Sequence, residues 1–123
     1  MREAVTVPEA AKAIGPYSHC VLTDDLAFVS GQGPLDPATG EMDDDIASQV
    51  RQTLKNIRTI LRGVQLDMED VVKVHVFLSD LDDFSAFNEV YREFFPEDYP
   101  ARTTVGAQLL GIKVEIDCIA ARN

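Results

Sequence analysis

The sequence predicts an α+β domain, a mixed and mostly antiparallel sheet with two helices packed on one face. Three observations carry that expectation. Apolar residues recur at helical spacing between Ile46 and Val64. Apolar and polar residues alternate through 71–78 and again through 113–120. The elements follow the order β-β-α-β-α-β-β, with a further strand possible near the N-terminus, and such an order suits one sheet covered by a helical layer.

Taken along the chain, 18–23 (SHCVLT) and 26–31 (LAFVSG) are short β-rich runs split by Asp24-Asp25, a hairpin signal. Residues 33–42 hold two prolines and two glycines with little periodicity and read as a loop. Ile46, Val50, Leu54, Ile57, Leu61 and Val64 then form one face of a helix. Asp43, Asp44 and Asp45 stand at its start as cap and favourable charge rather than as a metal site, and Gly63 is placed to end it.

Residues 71–80 read as a strand. Val72, Val74, Val76 and Leu78 are expected on one side, and Val71, Lys73, His75 and Phe77 on the other. Asp80 to Asp83 open a second helix that carries Phe84, Phe87, Val90, Tyr91, Phe94 and Phe95 to Pro96. Residues 102–110 and 112–121 read as two strands joined by a tight turn at Gly111. The uncovered sheet face, with Val71 and Phe77, is apolar enough to expect burial against further copies of the chain.

Composition bounds the function. The 123 residues are 46% hydrophobic and 26% charged, which suits one soluble globular domain spanning 1–123. No apolar run reaches the roughly 20 residues of a membrane helix. The N-terminus lacks a basic segment followed by an apolar one, so the cytoplasm is the expected compartment. Eleven basic side chains face twenty-one acidic ones, and the formal charge of −10 repels phosphate backbones, so nucleic acid is not an expected partner. Cys20 and Cys118 sit in apolar strand contexts as free buried thiols rather than a disulfide.

Familiar catalytic signatures are missing: no GxxxxGK[ST], GxGxxG, GxSxG or HExxH, and no metal-ligand cluster. The two histidines, His19 and His75, read as structural. The informative ionisable groups lie in apolar strands. Glu115 and Asp117 alternate with Val114, Ile116 and Cys118, and Arg102 opens the preceding strand after Pro100-Ala101. A carboxylate in such a strand is either solvated or lines a pocket where it can transfer protons. On the residues alone, Arg102 and Glu115 read first as a surface ion pair, since exposed pairs are common and weak.

Seven segments taken together carry more: AIGPYS (13–18), VSGQGPLDPATGE (29–41), QTLKNI (52–57), VVKVHVFLSDLDDF (71–84), NEVYREFFP (88–96), PARTTV (100–105) and KVEIDCIA (113–120). In order and spacing they resemble the RidA family, also called YjgF and liver perchloric-acid-soluble endoribonuclease. The resemblance implies a chorismate-mutase-like fold, a homotrimer with active sites between subunits, and hydrolysis of 2-imino acids such as 2-iminobutanoate and 2-iminopropanoate to 2-keto acids and ammonia, with no metal or cofactor.

The same resemblance implies that Arg102 binds the substrate carboxylate and Glu115 holds the attacking water, with Tyr17 and Ser30 as further catalytic residues. Gly31, Phe84, Asn88 and Thr104 are expected to bind substrate. Thr104 stands where some members carry a cysteine, Leu109-Leu110 replaces the usual Leu-Pro, and the segment before Arg102 is shorter than in many relatives, which bears on substrate range. Alternatives are a non-enzymatic carboxylate-binding or chaperone-like trimer, and a deaminase for an enamine such as 2-aminomuconate. A ribonuclease is disfavoured by the charge and by the placing of the histidines.

Overall fold

A computed structural model describes residues 1–123. The chain forms β1 (Glu3–Val5), β2 (Cys20–Leu22), β3 (Leu26–Gln32), α1 (Ile46–Gly63), β4 (Val71–Leu78), α2 (Phe84–Tyr91), β5 (Ala101–Gly106) and β6 (Val114–Ala121). Short 3₁₀ turns at 68–70 and 81–83 lead into β4 and α2. One six-stranded sheet has the order β1-β2-β3-β6-β4-β5. All its pairings are antiparallel except β4 with β5. No helix is long and apolar enough to cross a membrane.

The expected Asp24-Asp25 hairpin joins β2 to β3, closed by a bond from Thr23 N to Leu26 O of 2.8 Å. The hairpin expected at Gly111 does not form. Gly111 does turn with φ +76, but the chain leaves β5 at Gly106 and crosses to a slot between β3 and β4, where β6 pairs with both. β5 is instead an edge strand parallel to β4, delivered there by α2. A tight turn fixes local direction, whereas strand neighbours are chosen by which apolar faces can be buried together.

Core packing follows the predicted α1 face closely. Val50, Leu54, Ile57, Ile60 and Leu61 are buried against Val74, Val76 and Leu78 of β4 and Val114, Ile116 and Cys118 of β6. Asp45 caps α1 by accepting from Ser48 N at 2.9 Å, and this bond holds its carboxyl below the usual carboxylate range. Cys20 and Cys118 are free and buried, each register-paired with Val29 from opposite sides. Two strand spacings, about 9 to 10 Å, therefore separate them, and burial pushes the Cys118 thiol up to about 12.

Two local expectations fail for identifiable reasons. In β4 the register slips between Val71, opposite Ala120, and Lys73, opposite Ile119. The extra residue is a bulge, so Val71 turns into the core while Val72 is 46% exposed. Strict alternation had assigned these two the other way. α2 also ends at Tyr91 rather than near Pro96, because the next bonds, Glu93 N to Val90 O and Phe94 N to Tyr91 O, tighten to 3₁₀ spacing.

At the end of α1 the left-handed residue is Gln65, φ 63, with Leu66 N bonded to Leu61 O and Gln65 N to Arg62 O in a Schellman arrangement. Gly63 serves close packing instead: a Cβ there would lie 2.7 Å from both Val7 methyls. Two opposed outcomes follow. Gly63→Ala lowers stability in urea by about 1–3 kcal/mol through overpacking, while Gln65→Gly raises it by up to about 1 kcal/mol by relieving the left-handed backbone.

Candidate active site

Glu115 and Arg102 lie on opposite faces of the sheet. In β6, Val114, Ile116 and Cys118 point into the helix-covered core, so Glu115 points to the open face, opposite Phe77 of β4. In β5, Arg102 is register-paired with the buried Val74 and so shares the helix side with it. The surface ion pair read first from the residues alone does not occur, since none of the five ion pairs in the chain involves either residue.

On the open face the Ser30-Gly31-Gln32 segment makes a second bulge. Val29 pairs with Cys118 and Gln32 with Ile116, so β3 spends three steps where β6 spends two. That irregularity brings the backbone of Gly31 against Glu115: a Cβ on Gly31 would stand 2.6 Å from Glu115 Oε2. Only glycine lets the carboxylate lie across the strand there. The Ser30 hydroxyl donates to Ser18 O at 2.5 Å, tying β3 to the segment that bears Tyr17.

Glu115, Gly31 and Tyr17 line one cavity of about 490 Å³, walled elsewhere by aliphatic side chains including Ile14, Leu35, Leu109 and Ile112. The Tyr17 hydroxyl accepts from Ile14 N at 3.2 Å, which folds the 14–17 segment over the opening. Two loops of this cavity are held by polar groups buried on α1. Asn56 donates to Gly33 O at 2.9 Å and Leu35 O at 2.8 Å, and is itself fixed by Gln52 Nε2 at 2.9 Å. Gln49 accepts from Lys113 N at 2.9 Å. The QTLKNI segment thus has a physical role, although spacing alone marked only its apolar members.

Arg102 occupies an aromatic cage. Its guanidinium carbon lies 4.7 Å from the Tyr91 ring centroid, 5.2 Å from Phe87 and 5.7 Å from Phe84. These rings fall at i, i+3 and i+7 on α2, one helical face. Asn88, Tyr91, Arg92, Tyr99, Pro100 and Arg102 line a second cleft of about 290 Å³. Tyr91 is buried and its hydroxyl has no hydrogen-bond partner; nor does the buried Thr104 hydroxyl. Burial pushes the Tyr91 phenol up to about 12, outweighing the nearby Arg102 charge, whose contact is with the ring face and falls short of an aligned hydrogen bond.

The expected residues therefore fall into two sets: Glu115, Gly31 and Tyr17 in one cavity, and Arg102, Asn88, Phe84 and Thr104 around the other. Ser30 supports the first without lining it. His19 is structural, with Nδ1 accepting from Val7 N and Nε2 donating to Ala11 O. His75 Nδ1 meets Asp117 Oδ1 at 2.6 Å on the open face.

The Endoribonuclease L-PSP family matches residues 7–122. The chain belongs to this family, that of RidA and YjgF. A RutC family protein of Pyrococcus horikoshii is 43% identical over 126 residues, covering 100% of both chains. A 2-iminobutanoate/2-iminopropanoate deaminase of Bos taurus is 40% identical over 126 residues, covering 100% of this chain and 92% of that one. The solved Escherichia coli TdcF with bound serine superposes with a TM-score of 0.92 at 39% identity, covering 98% of this chain and 99% of that one.

For this RidA-family chain the Tyr91 hydroxyl sets a stability expectation. A buried hydroxyl without a partner costs free energy, so Tyr91→Phe is neutral or stabilising by up to about 1 kcal/mol. Thermal unfolding of the ligand-free protein measures it, and a clear loss of stability would reveal a partner for the hydroxyl.

Proposed function

We propose that the protein hydrolyses 2-imino acids, and their enamine tautomers, to 2-keto acids and ammonia. The observation that carries this reading is the Arg102 guanidinium, held by three aromatic rings and left without an anionic partner in its own chain. A fixed fork of donors suits the planar carboxylate of a 2-imino acid and sets the orientation of its C=N bond. The deaminase relative and the family membership support the same chemistry.

Glu115 is the proposed base. Its carboxylate takes a proton from water as the oxygen adds to the imine carbon, and the imine nitrogen gains a proton to give a carbinolamine. The adduct then collapses: the protonated Glu115 returns its proton to the nitrogen, the C–N bond breaks, the keto C=O forms as the hydroxyl gives up its proton, and ammonia leaves. Tyr17, in the same cavity, is proposed to stabilise the adduct. Gly31 offers close backbone approach to the carboxylate.

Because Arg102 and Glu115 face opposite sides of one sheet, a working site takes Arg102 from one copy and Glu115 from another. We propose the homotrimer as that assembly, with three sites between copies. The open face, carrying Phe28, Phe77 and Val105, supplies apolar surface for the contact.

A coupled assay tests both statements. An amino-acid oxidase generates the imine, and semicarbazide traps what is not hydrolysed. Wild type lowers the semicarbazone yield, and Arg102→Ala and Glu115→Ala each reduce kcat/KM by at least about a hundredfold. Unfolding and remixing the two inactive variants restores about a quarter of wild-type activity, the share of shared sites that draw an intact residue from each copy. No recovery on mixing, with assembly intact, would overturn the shared site; an unaltered yield with wild type would overturn the deaminase.

A further inference from the structure

Hydrolysis of a monocarboxylate leaves part of the Arg102 cleft without a role. Its six lining residues are Asn88, Tyr91, Arg92, Tyr99, Pro100 and Arg102, and none is acidic. The chain as a whole carries 21 acidic residues against 11 basic ones, so a small cleft lined by two arginines and no acidic residue runs against its composition. One substrate carboxylate compensates Arg102 and leaves Arg92, the second arginine of the lining.

Arg92 is weakly committed within the protein. Its Nη1 lies 3.4 Å from Glu89 Oε1 one turn earlier, with the two side chains 59% and 78% exposed. An exposed pair of this kind contributes little and gives way to a better-placed anion. Backbone bonding from Arg92 N to Asn88 O keeps the residue at the end of α2, beside Asn88 and Tyr91. Tyr91, which cages Arg102, is a lining residue of the same cleft, with its hydroxyl buried. A volume of about 290 Å³ suits a short diacid rather than a nucleotide.

We infer that this cleft recognises a dianion, with the 2-carboxylate of the substrate on Arg102 and a second carboxylate on Arg92. The preferred substrates of the site are then 2-imino or 2-enamino dicarboxylates. This inference rests on the deaminase reading and names its substrate class. Arg92 acts here as a specificity residue: it meets the distal carboxylate and takes no part in breaking C–N. The hydrolysis itself is unchanged, water supplying the keto oxygen and the nitrogen leaving as ammonia.

The test compares two imines in the semicarbazide assay, iminosuccinate made by an aspartate-specific oxidase and 2-iminobutanoate made by a general amino-acid oxidase. Wild type is expected to show a kcat/KM at least about tenfold higher for iminosuccinate, the scale of one charge-assisted contact. Arg92→Ala should collapse that ratio about tenfold, mainly through KM, and Arg92→Lys should keep part of it. Binding of the unreactive pair succinate and butanoate, followed by calorimetry, is the second readout: succinate binds more tightly, and Arg92→Ala removes the difference.

Hydrolysis of 2-iminobutanoate with no preference for iminosuccinate overturns the inference and leaves the deaminase standing. Hydrolysis of neither imine, with succinate still favoured through Arg92, overturns the deaminase and keeps the dianion site. Equal binding of succinate and butanoate overturns the dianion site whatever the turnover.

Discussion

The insertion of β6 between β3 and β4 is the constraint on which the rest of the molecule depends. Its alternate residues Val114, Ile116, Cys118 and Ala120 are buried with α1 in the core, and that burial obliges Glu115 and Asp117 to the other face. With β6 on one flank of β4, the other flank is left for a strand returning from α2. A strand–helix–strand return places β5 parallel to β4, with α2 lying over it. The caged Arg102 and the exposed flank of Glu115 are both consequences of where the last strand lies.

Legibility in the sequence followed how local each signal is. The α1 face and the Asp24-Asp25 hairpin depend on neighbours within a turn or two, and both appear as expected. Strand adjacency depends on the whole sheet. The Gly111 turn is real, yet the segment it belongs to runs across the sheet instead of closing a hairpin. Val71 and Val72 exchange roles because a bulge, invisible to alternation, resets the phase. Asn56 was hidden for another reason: an amide next to Ile57 looks like the polar edge of an amphipathic helix until its two loop carbonyl partners are seen.

The candidate site was legible as residue types and motifs, not as geometry. Family pattern named Arg102 and Glu115, but no spacing rule tells which face of a sheet either occupies when a crossover separates their strands. Phe84, Phe87 and Tyr91 were visible as the apolar face of a helix, and only the parallel edge strand turns that face into a cage for a cation. Rings bind a guanidinium by their faces and leave its N–H fork free. A carboxylate would also have held Arg102, but it would have consumed the donors a substrate needs.

The open face of the sheet joins stability to chemistry. Four of its polar members are engaged in pairs, His75 with Asp117 at 2.6 Å and Lys73 with Thr103 at 2.9 Å. Beside these pairs lies exposed apolar surface, with Phe28 41% and Val105 41% exposed. Paired polar groups go under a covering surface at far lower cost than unpaired ones, so these two pairs are prepared for burial without losing their hydrogen bonds. Glu115 stands on the same face, beside the aliphatic walls of its cavity. Under the proposed assembly, the contact that covers Phe28 and Phe77 would also bring an arginine to Glu115 and withdraw the site from bulk water. A separated copy would then lose apolar burial and catalysis together, because one surface serves both.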